Sequence, residues 1–174
     1  NTYPLAEIEK NCRDVRRIGL GVMGLGHALV KLGLRYDRAD GRKKVDQVFN
    51  FMMEDTYMQP HMHPGIEKIE KMYLVLGSFA VLFFNETGCV EKISILKVGG
   101  CDYIEIPAFT WHTYVMLEYN VITYETMMGK FNPKTWKTLS NWSPDENTSE
   151  GKTYLASLRM QVLEVIKNKE LVSY

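Results

Sequence analysis

The alternation of polar and apolar positions changes rhythm part-way along this chain. Before about Thr56 the spacing is helical. Leu5, Ile8, Val15 and Ile18 predict a first helix, with Pro4 suited to its opening turn, and Leu25 to Leu32 predict another. Val45, Val48, Phe49, Met52 and Met53 repeat the stripe of an amphipathic helix over Ala39 to Asp55, with Asp40 as its N-cap. From Met58 onward, short β-type runs alternate with turn residues. Met72 to Leu76 stops at Gly77-Ser78, Phe79 to Phe84 at Asn85-Glu86-Thr87-Gly88, and Val90 to Leu96 before Lys97-Val98-Gly99-Gly100. Tyr103 to Ile106 ends at Pro107, and Thr113 to Leu117 and Val121 to Met127 follow, parted by Tyr119-Asn120. Many short strands at this spacing predict an antiparallel sandwich or barrel. Asn132 to Asn147 reads as loop. Ser143 to Glu146 forms a capping-box pattern whose helix Gly151 would interrupt, and Leu155, Leu158, Val162, Val165 and Ile166 mark a closing helix.

Composition narrows the class. A chain of 174 residues has room for one domain and an appendage, and 45% hydrophobic with 24% charged residues is ordinary for a soluble globular protein. Lys+Arg and Asp+Glu are both 21, so the net charge is zero; this argues against a nucleic-acid partner, since phosphate-neutralising domains carry a basic excess. No apolar run approaches the roughly 18–20 residues of a membrane span, and no charged n-region with an apolar h-region marks a secretory signal. The chain opens on Asn1 rather than Met, as a fragment or processed product would. Cys12, Cys89 and Cys101 form no C-x-x-C pair and fit a reduced, cytoplasmic protein. Lys10 to Arg17 and Arg35 to Lys44 mix both signs of charge and read as solvated helix faces.

Gly19-Leu20-Gly21-Val22-Met23-Gly24 satisfies G-x-G-x-x-G, which in a dinucleotide-binding fold lets pyrophosphate approach a helix N-terminus. No further βαβ units follow, so no nicotinamide or flavin cofactor is expected. The wording around the glycines carries a different resemblance. Asn1 to Leu5, Arg16 to Leu25, Lys31-Leu32-Gly33 and Tyr36-Asp37 resemble a stretch of the ribonucleotide reductase large chain, closest to the cobalamin-dependent class, over about residues 1–55. That family's radical cysteine, its cysteine-and-glutamate substrate motif and its redox cysteine pair all lie outside the segment, and Cys12 matches none of them. A working reductase is therefore not expected, and the segment reads as a captured or fused structural piece.

Of the four histidines, three fall in the β region. His61-Met62-His63 puts two imidazoles on one face of a strand, because side chains alternate with period two. Glu70 follows, with six residues before Gly77, and Pro107 to His112 supplies the third imidazole. Three neutral imidazoles and a carboxylate can hold a divalent metal and leave positions open. The spacing resembles the two cupin motifs, H-x-H with an acid and six residues to a Gly, then P-x-x-x-x-H. His61, His63 and Glu70 match the first and His112 the second. The gap from His63 to Glu70 is longer than usual. Glu67 fits a shorter gap but misses the Gly spacing, so Glu70 is preferred. Gly77 is expected to end a hairpin and so to fix where the acid points. His27 lies in the helical segment and reads as structural.

Gln59 to Pro64, Tyr73 to Gly77, Ala80 to Phe84, Ile106 to Thr113, Asn141-Trp142-Ser143-Pro144 and Tyr154-Leu155 resemble the WbuC family of cupin-fold metalloproteins over about residues 57–158. That resemblance implies a divalent metal (Fe, Mn, Ni, Zn or Cu not distinguished) and a sugar or nucleotide-sugar ligand in surface-polysaccharide metabolism. The expected architecture is mainly β: a helical extension over 1–55, a cupin jelly-roll barrel over 56–140, and a C-terminal loop and helix over 141–174. A metal-dependent isomerase, epimerase or dioxygenase-type cupin, a non-catalytic sugar-binding or regulatory cupin, and an interaction module fused to a reductase fragment all stay open. Tyr114, Tyr124 and Glu125 are the acid–base candidates, and a homodimer is the default for such a barrel.

Overall fold

Eight strands pair in a nested series. β1 (Val45–Met53) pairs with β8 (Asn120–Met128), β2 (His61–Met62) with β7 (Trp111–Met116), β3 (Glu70–Leu76) with β6 (Tyr103–Ile106), and β4 (Ser78–Phe84) with β5 (Val90–Lys97), every pair antiparallel. A chain that pairs first with last, and inward from there, is one long hairpin. Two further pairings, β3 with β8 and β4 with β7, roll that hairpin into two sheets. Their orders are β1-β8-β3-β6 and β5-β4-β7-β2, with a short β9 (Thr138–Leu139) added beside β2. This is the double-sheet jelly roll of the cupin barrel. The computed structural model describes residues 45–128, 132 and 134–172. The two predicted N-terminal helices, the Gly19–Gly24 cluster and His27 lie outside those residues.

Within the described residues, the runs predicted after Met58 are strands, with ends that coincide or shift by one or two residues. The expected helix over Ala39 to Asp55 is overturned for residues 45–53, which form β1, paired residue for residue with β8 from Val45↔Met128 to Met53↔Asn120. Met52 enters the core between the sheets, with Met72, Phe79, Val81 and Val121. Phe51 and Met53 are exposed. A strand with apolar residues on both faces loses its period-two signature and can imitate a helical stripe.

Gly77 also differs from expectation. β3 and β4 belong to different sheets, so Gly77 is no hairpin turn but a one-residue corner between them. Its φ is +85° and a Cβ there would stand 2.5 Å from the Asn120 carbonyl oxygen, which leaves glycine as the residue that fits. Crossing in one residue keeps the inward set Glu70, Met72 and Leu74 in fixed relation to Phe79 and Val81.

The helix α1 (Ser149–Val172) covers the outer face of the β5-β4-β7 sheet. Leu155, Leu158 and Val162 pack on Ala80, Leu82, Phe84 and Val115, each burial contributing roughly 1.5–3 kcal/mol. Its N-cap is Thr148, whose Oγ1 accepts the Gly151 N–H at 3.0 Å, rather than the predicted Ser143 box. Gly151 does not interrupt the helix; it sits in its first turn because the Tyr57 ring and the Asp145 carbonyl oxygen lie 2.8 Å from where a Cβ would be. Tyr57 donates its hydroxyl to the Pro144 carbonyl at 2.9 Å, tying the β1–β2 connection to the helix entry. The far side of α1 is tied down by Arg159, whose guanidinium bonds the Glu54 carboxylate and carbonyl at the end of β1.

Two outcomes follow for this dock. Gly151→Ala gains about 1 kcal/mol of helix propensity but meets backbone and ring atoms, and overpacking of this kind costs roughly 1–3 kcal/mol. Thermal unfolding should therefore show a net loss; a rise in melting temperature would refute the close approach. Burial pushes the Tyr57 phenol up to about 12. A raised acid pKa favours the folded state below the ordinary value near 10. That contribution should fall away as pH climbs from about 10 through 12, and Tyr57→Phe should flatten this part of the alkaline stability profile.

Candidate metal centre

The barrel interior brings both sheets to one point. His61 and His112 stand directly opposite each other on β2 and β7. His63 follows β2 and is held by the Phe109 N–H, which donates to its carbonyl at 3.1 Å. Phe109 adopts φ 59°, an unusual conformation for a non-glycine residue, in the loop that delivers His112. Glu70 opens β3 in the other sheet and points inward with Met72 and Leu74. One donor atom from each of His61, His63, Glu70 and His112 lies within 4.8 Å of all the others, and all four residues are buried. Among the described residues this is the group of that kind. Glu67 is exposed, with its carboxylate against Gly65.

The orientation of each imidazole is fixed from behind. His61 Nδ1 lies 3.0 Å from the Gln59 carbonyl, His112 Nδ1 2.8 Å from the Thr110 carbonyl, and His63 Nδ1 2.8 Å from the Trp136 carbonyl. A carbonyl oxygen only accepts, so each Nδ1 carries a proton, and the neutral form of each ring turns a bare Nε2 lone pair inward. Carbonyl partners of this kind set the tautomer of metal-ligating histidines.

The inward atoms are poor partners for one another. The Nε2 atoms of His63 and His112 each lie 3.2 Å from Glu70 Oε2. Lone pairs then face lone pairs, and Glu70 Oε2 and His112 Nε2 are buried with no hydrogen-bond partner. Glu70 is 1% exposed and His112 0%, so water offers little relief. A shared cation resolves this, and the 3.2 Å edges suit two ligands each about 2.1 Å from one ion. The residues present therefore fit a divalent metal.

Burial pushes the Glu70 carboxyl up, but N–H donation and positive charge at His112 and His63 outweigh it and hold the group well below the usual carboxylate range. Bare Nε2 atoms supply neither, so with neutral rings that compensation falls to a cation. Burial, then the neighbouring His112, holds His61 well below its ordinary value, so its Nε2 is bare at neutral pH. Burial, then the Glu70 charge, raises the Tyr114 phenol well above its ordinary value. Tyr114 thus stays a donor and gives its proton to Glu70 Oε1 at 2.5 Å.

The acid–base candidates part company here. Tyr114 is inside, committed to Glu70. Tyr124 is on the opposite face of its sheet, where its ring lies 4.9 Å from Phe49 and 6.2 Å from Tyr73. Glu125 is on the inner face, accepts the Asn50 amide at 3.1 Å, and acts on Tyr114 through its charge. Missed from sequence were Gln59, Thr110 and Trp136, because a backbone carbonyl leaves no mark in residue type.

Comparison with known proteins gives two kinds of match. Residues 1–61 match the model of the ribonucleotide reductase barrel domain, and residues 37–96 match a domain of unknown function, DUF6016. Over 57 residues the chain is 33% identical to the vitamin B12-dependent ribonucleoside-diphosphate reductase of Thermoplasma acidophilum, covering 33% of this chain and 7% of the reductase. The reductase-like segment expected at the N-terminus is thus present, and the chain spans only a small part of that relative. Among solved structures, CapF of Staphylococcus aureus, a capsular polysaccharide assembling protein, aligns at 16% identity and TM-score 0.49 over 56% of this chain and 28% of its own. Oxalate decarboxylase of Bacillus subtilis aligns at 19% and 0.46 over 56% and 24%. The DMSP lyase DddQ of Ruegeria pomeroyi aligns at 14% and 0.46 over 59% and 46%. No helix among the described residues is long and apolar enough to cross a membrane.

Tyr114→Phe should leave a buried carboxylate oxygen without its donor. Loss of a hydrogen bond to a charged group costs roughly 1.5–3 kcal/mol. Urea unfolding of metal-stripped protein should show a lower midpoint with an unchanged slope; an unchanged midpoint would contradict the role given to this contact.

Proposed function

We propose that this chain is a cupin-type metal protein in which His61, His63, Glu70 and His112 hold one divalent ion, Fe, Mn, Ni, Zn or Cu. The observation that carries the reading is the convergence of three locked Nε2 lone pairs on an unpartnered, buried Glu70 oxygen. The WbuC resemblance supplies the ligand class: a sugar or nucleotide-sugar of surface-polysaccharide metabolism. When bound, the ion would act as a Lewis acid that polarises a carbonyl or hydroxyl oxygen or activates water. The chain's own part is to fix each ring by its Nδ1 and to limit Glu70 to one inward oxygen by the Tyr114 bond.

Between an isomerase, epimerase or dioxygenase and a non-catalytic binder, the acid–base inventory favours the binder as the second reading. Tyr114 has its proton committed and Tyr124 faces the other way, which leaves Glu125 as the inward acid–base candidate.

Metal content per chain, measured on purified wild type and four variants and followed by a soak with nucleotide-sugars, tests the site. Wild type should carry about one ion per chain. His112→Ala should lose most of it although it is remote in sequence, Glu70→Gln should lose more than Glu67→Gln, and His27→Ala should lose none. Full metal in His112→Ala, or a larger loss in Glu67→Gln than in Glu70→Gln, would sink the assignment.

A further inference from the structure

The segment after β8 does more than close the chain. Residues 134–140 run past the His61–His63 side of the centre as a strap. Its C-terminal part is zipped to the β2 side: His61↔Leu139 and Met62↔Thr138 pair, the Ser140 N–H donates to the Pro60 carbonyl at 2.9 Å, and the Gln59 amide donates to the Ser140 carbonyl at 2.9 Å. Its N-terminal part lies beyond that ladder and carries the Trp136 carbonyl that receives the His63 Nδ1 proton.

There a lysine is buried. Lys68, in the loop between β2 and β3, is 9% exposed and its Nζ donates to the Thr135 carbonyl at 2.7 Å. The same ammonium stands 5.2 Å from the centre of the Trp136 ring, which in turn meets the His63 ring edge-on at 5.9 Å. Burying an ammonium is costly unless its hydrogen bonds are strong, and a surface strap has many ways to be held without one. A charge-assisted bond plus a ring contact, placed at the residue pair that orients a histidine, is a clamp with a local purpose.

We infer that Lys68 is the positioning residue of this centre: its ammonium clamps Thr135 and Trp136, and through the Trp136 carbonyl it fixes the ring and tautomer of His63. The inference rests on the metal reading for its consequence and on the His63–Trp136 contact for its mechanism. His61 and His112 take their Nδ1 partners from two residues upstream, just before their own strands. His63 takes its partner from 73 residues away, so its orientation depends on the strap staying in place.

The test uses the full chain with Lys68→Met, which keeps the stem and removes the charge, and Lys68→Arg, which restores a cation. Outer-shell partners of metal ligands typically alter affinity by about 10–100-fold. Zinc-loaded Lys68→Met, challenged with a chelator, should release zinc at least about tenfold faster than wild type, with Lys68→Arg partly restored. In zinc-free protein, nitrogen NMR of the imidazoles should show the His63 Nδ1–H signal shifted or exchange-broadened, with His112 unchanged. Wild-type release together with an unchanged His63 signal overturns the inference, as does an equal change at all three histidines, which would mean general loosening. If wild type takes up none of Fe, Mn, Ni, Zn or Cu, the metal reading fails on that result, and the imidazole spectra alone decide whether Lys68 positions His63. If Lys68→Met does not fold, Lys68→Gln takes its place and must move the His63 signal in the same way.

Discussion

A carboxylate buried between two sheets organises this protein. Glu70 enters from β3, while the side chains that meet it come from the other sheet or the loops beside it: Tyr114 donates to Oε1, and the imidazoles of His63 and His112 face Oε2. An ionised carboxylate with no partner would be far too costly at that depth. The sheets must therefore approach with their polar inward residues in register, and the rest of the interior can then be apolar. Met72, Phe79, Val81 and Met116 fill it, each with essentially no exposure.

That register depends on long-range pairing rather than local propensity, which explains where the sequence could be followed and where it could not. Runs such as Phe79 to Phe84 and Val90 to Leu96 are bounded by turn residues, so their limits show in the chain itself. β1 is different. Its apolar residues serve two faces: Met52 packs inward, while Phe49 meets Tyr124 on the outer side. The resulting spacing mimics a helical stripe. What decides for a strand is β8, some seventy residues on, whose edge away from β3 would otherwise stand open. Strand preference is set by such surroundings more than by intrinsic backbone preference. β1 also lies within the overlap of the two matched segments, 37–61, so the reductase-like wording runs into the first strand of the roll.

The candidate ligands were legible because their geometry reduces to counting. Two residues apart means one face, and a fixed distance from Glu70 to the Gly77 corner means a fixed direction. The four residues meet even though Gly77 is a corner between sheets, since only the inward alternation of Glu70, Met72 and Leu74 matters. What holds those ligands was partly legible in principle. His61 and His112 each bond the carbonyl two residues before, and Pro60 biases Gln59 towards the extended backbone. His63 bonds a carbonyl whose residue could have been any type, and neither Trp136 nor Lys68 signals that task in the sequence.

The Tyr114 bond separates two ways of balancing the cluster. A proton shared between Glu70 and one imidazole would satisfy a single 3.2 Å edge and leave the remaining Nε2 atoms facing a cavity of lone pairs. A metal ion takes all four donors at once. With Oε1 already receiving the phenol proton, Glu70 has one oxygen to give, so it would serve as a single-point ligand beside three imidazoles. Four donors of this kind leave an ion short of a full octahedral set, which is the condition for a small molecule to bind it. The same phenol that quiets the carboxylate in the protein alone would then keep the centre open to a ligand.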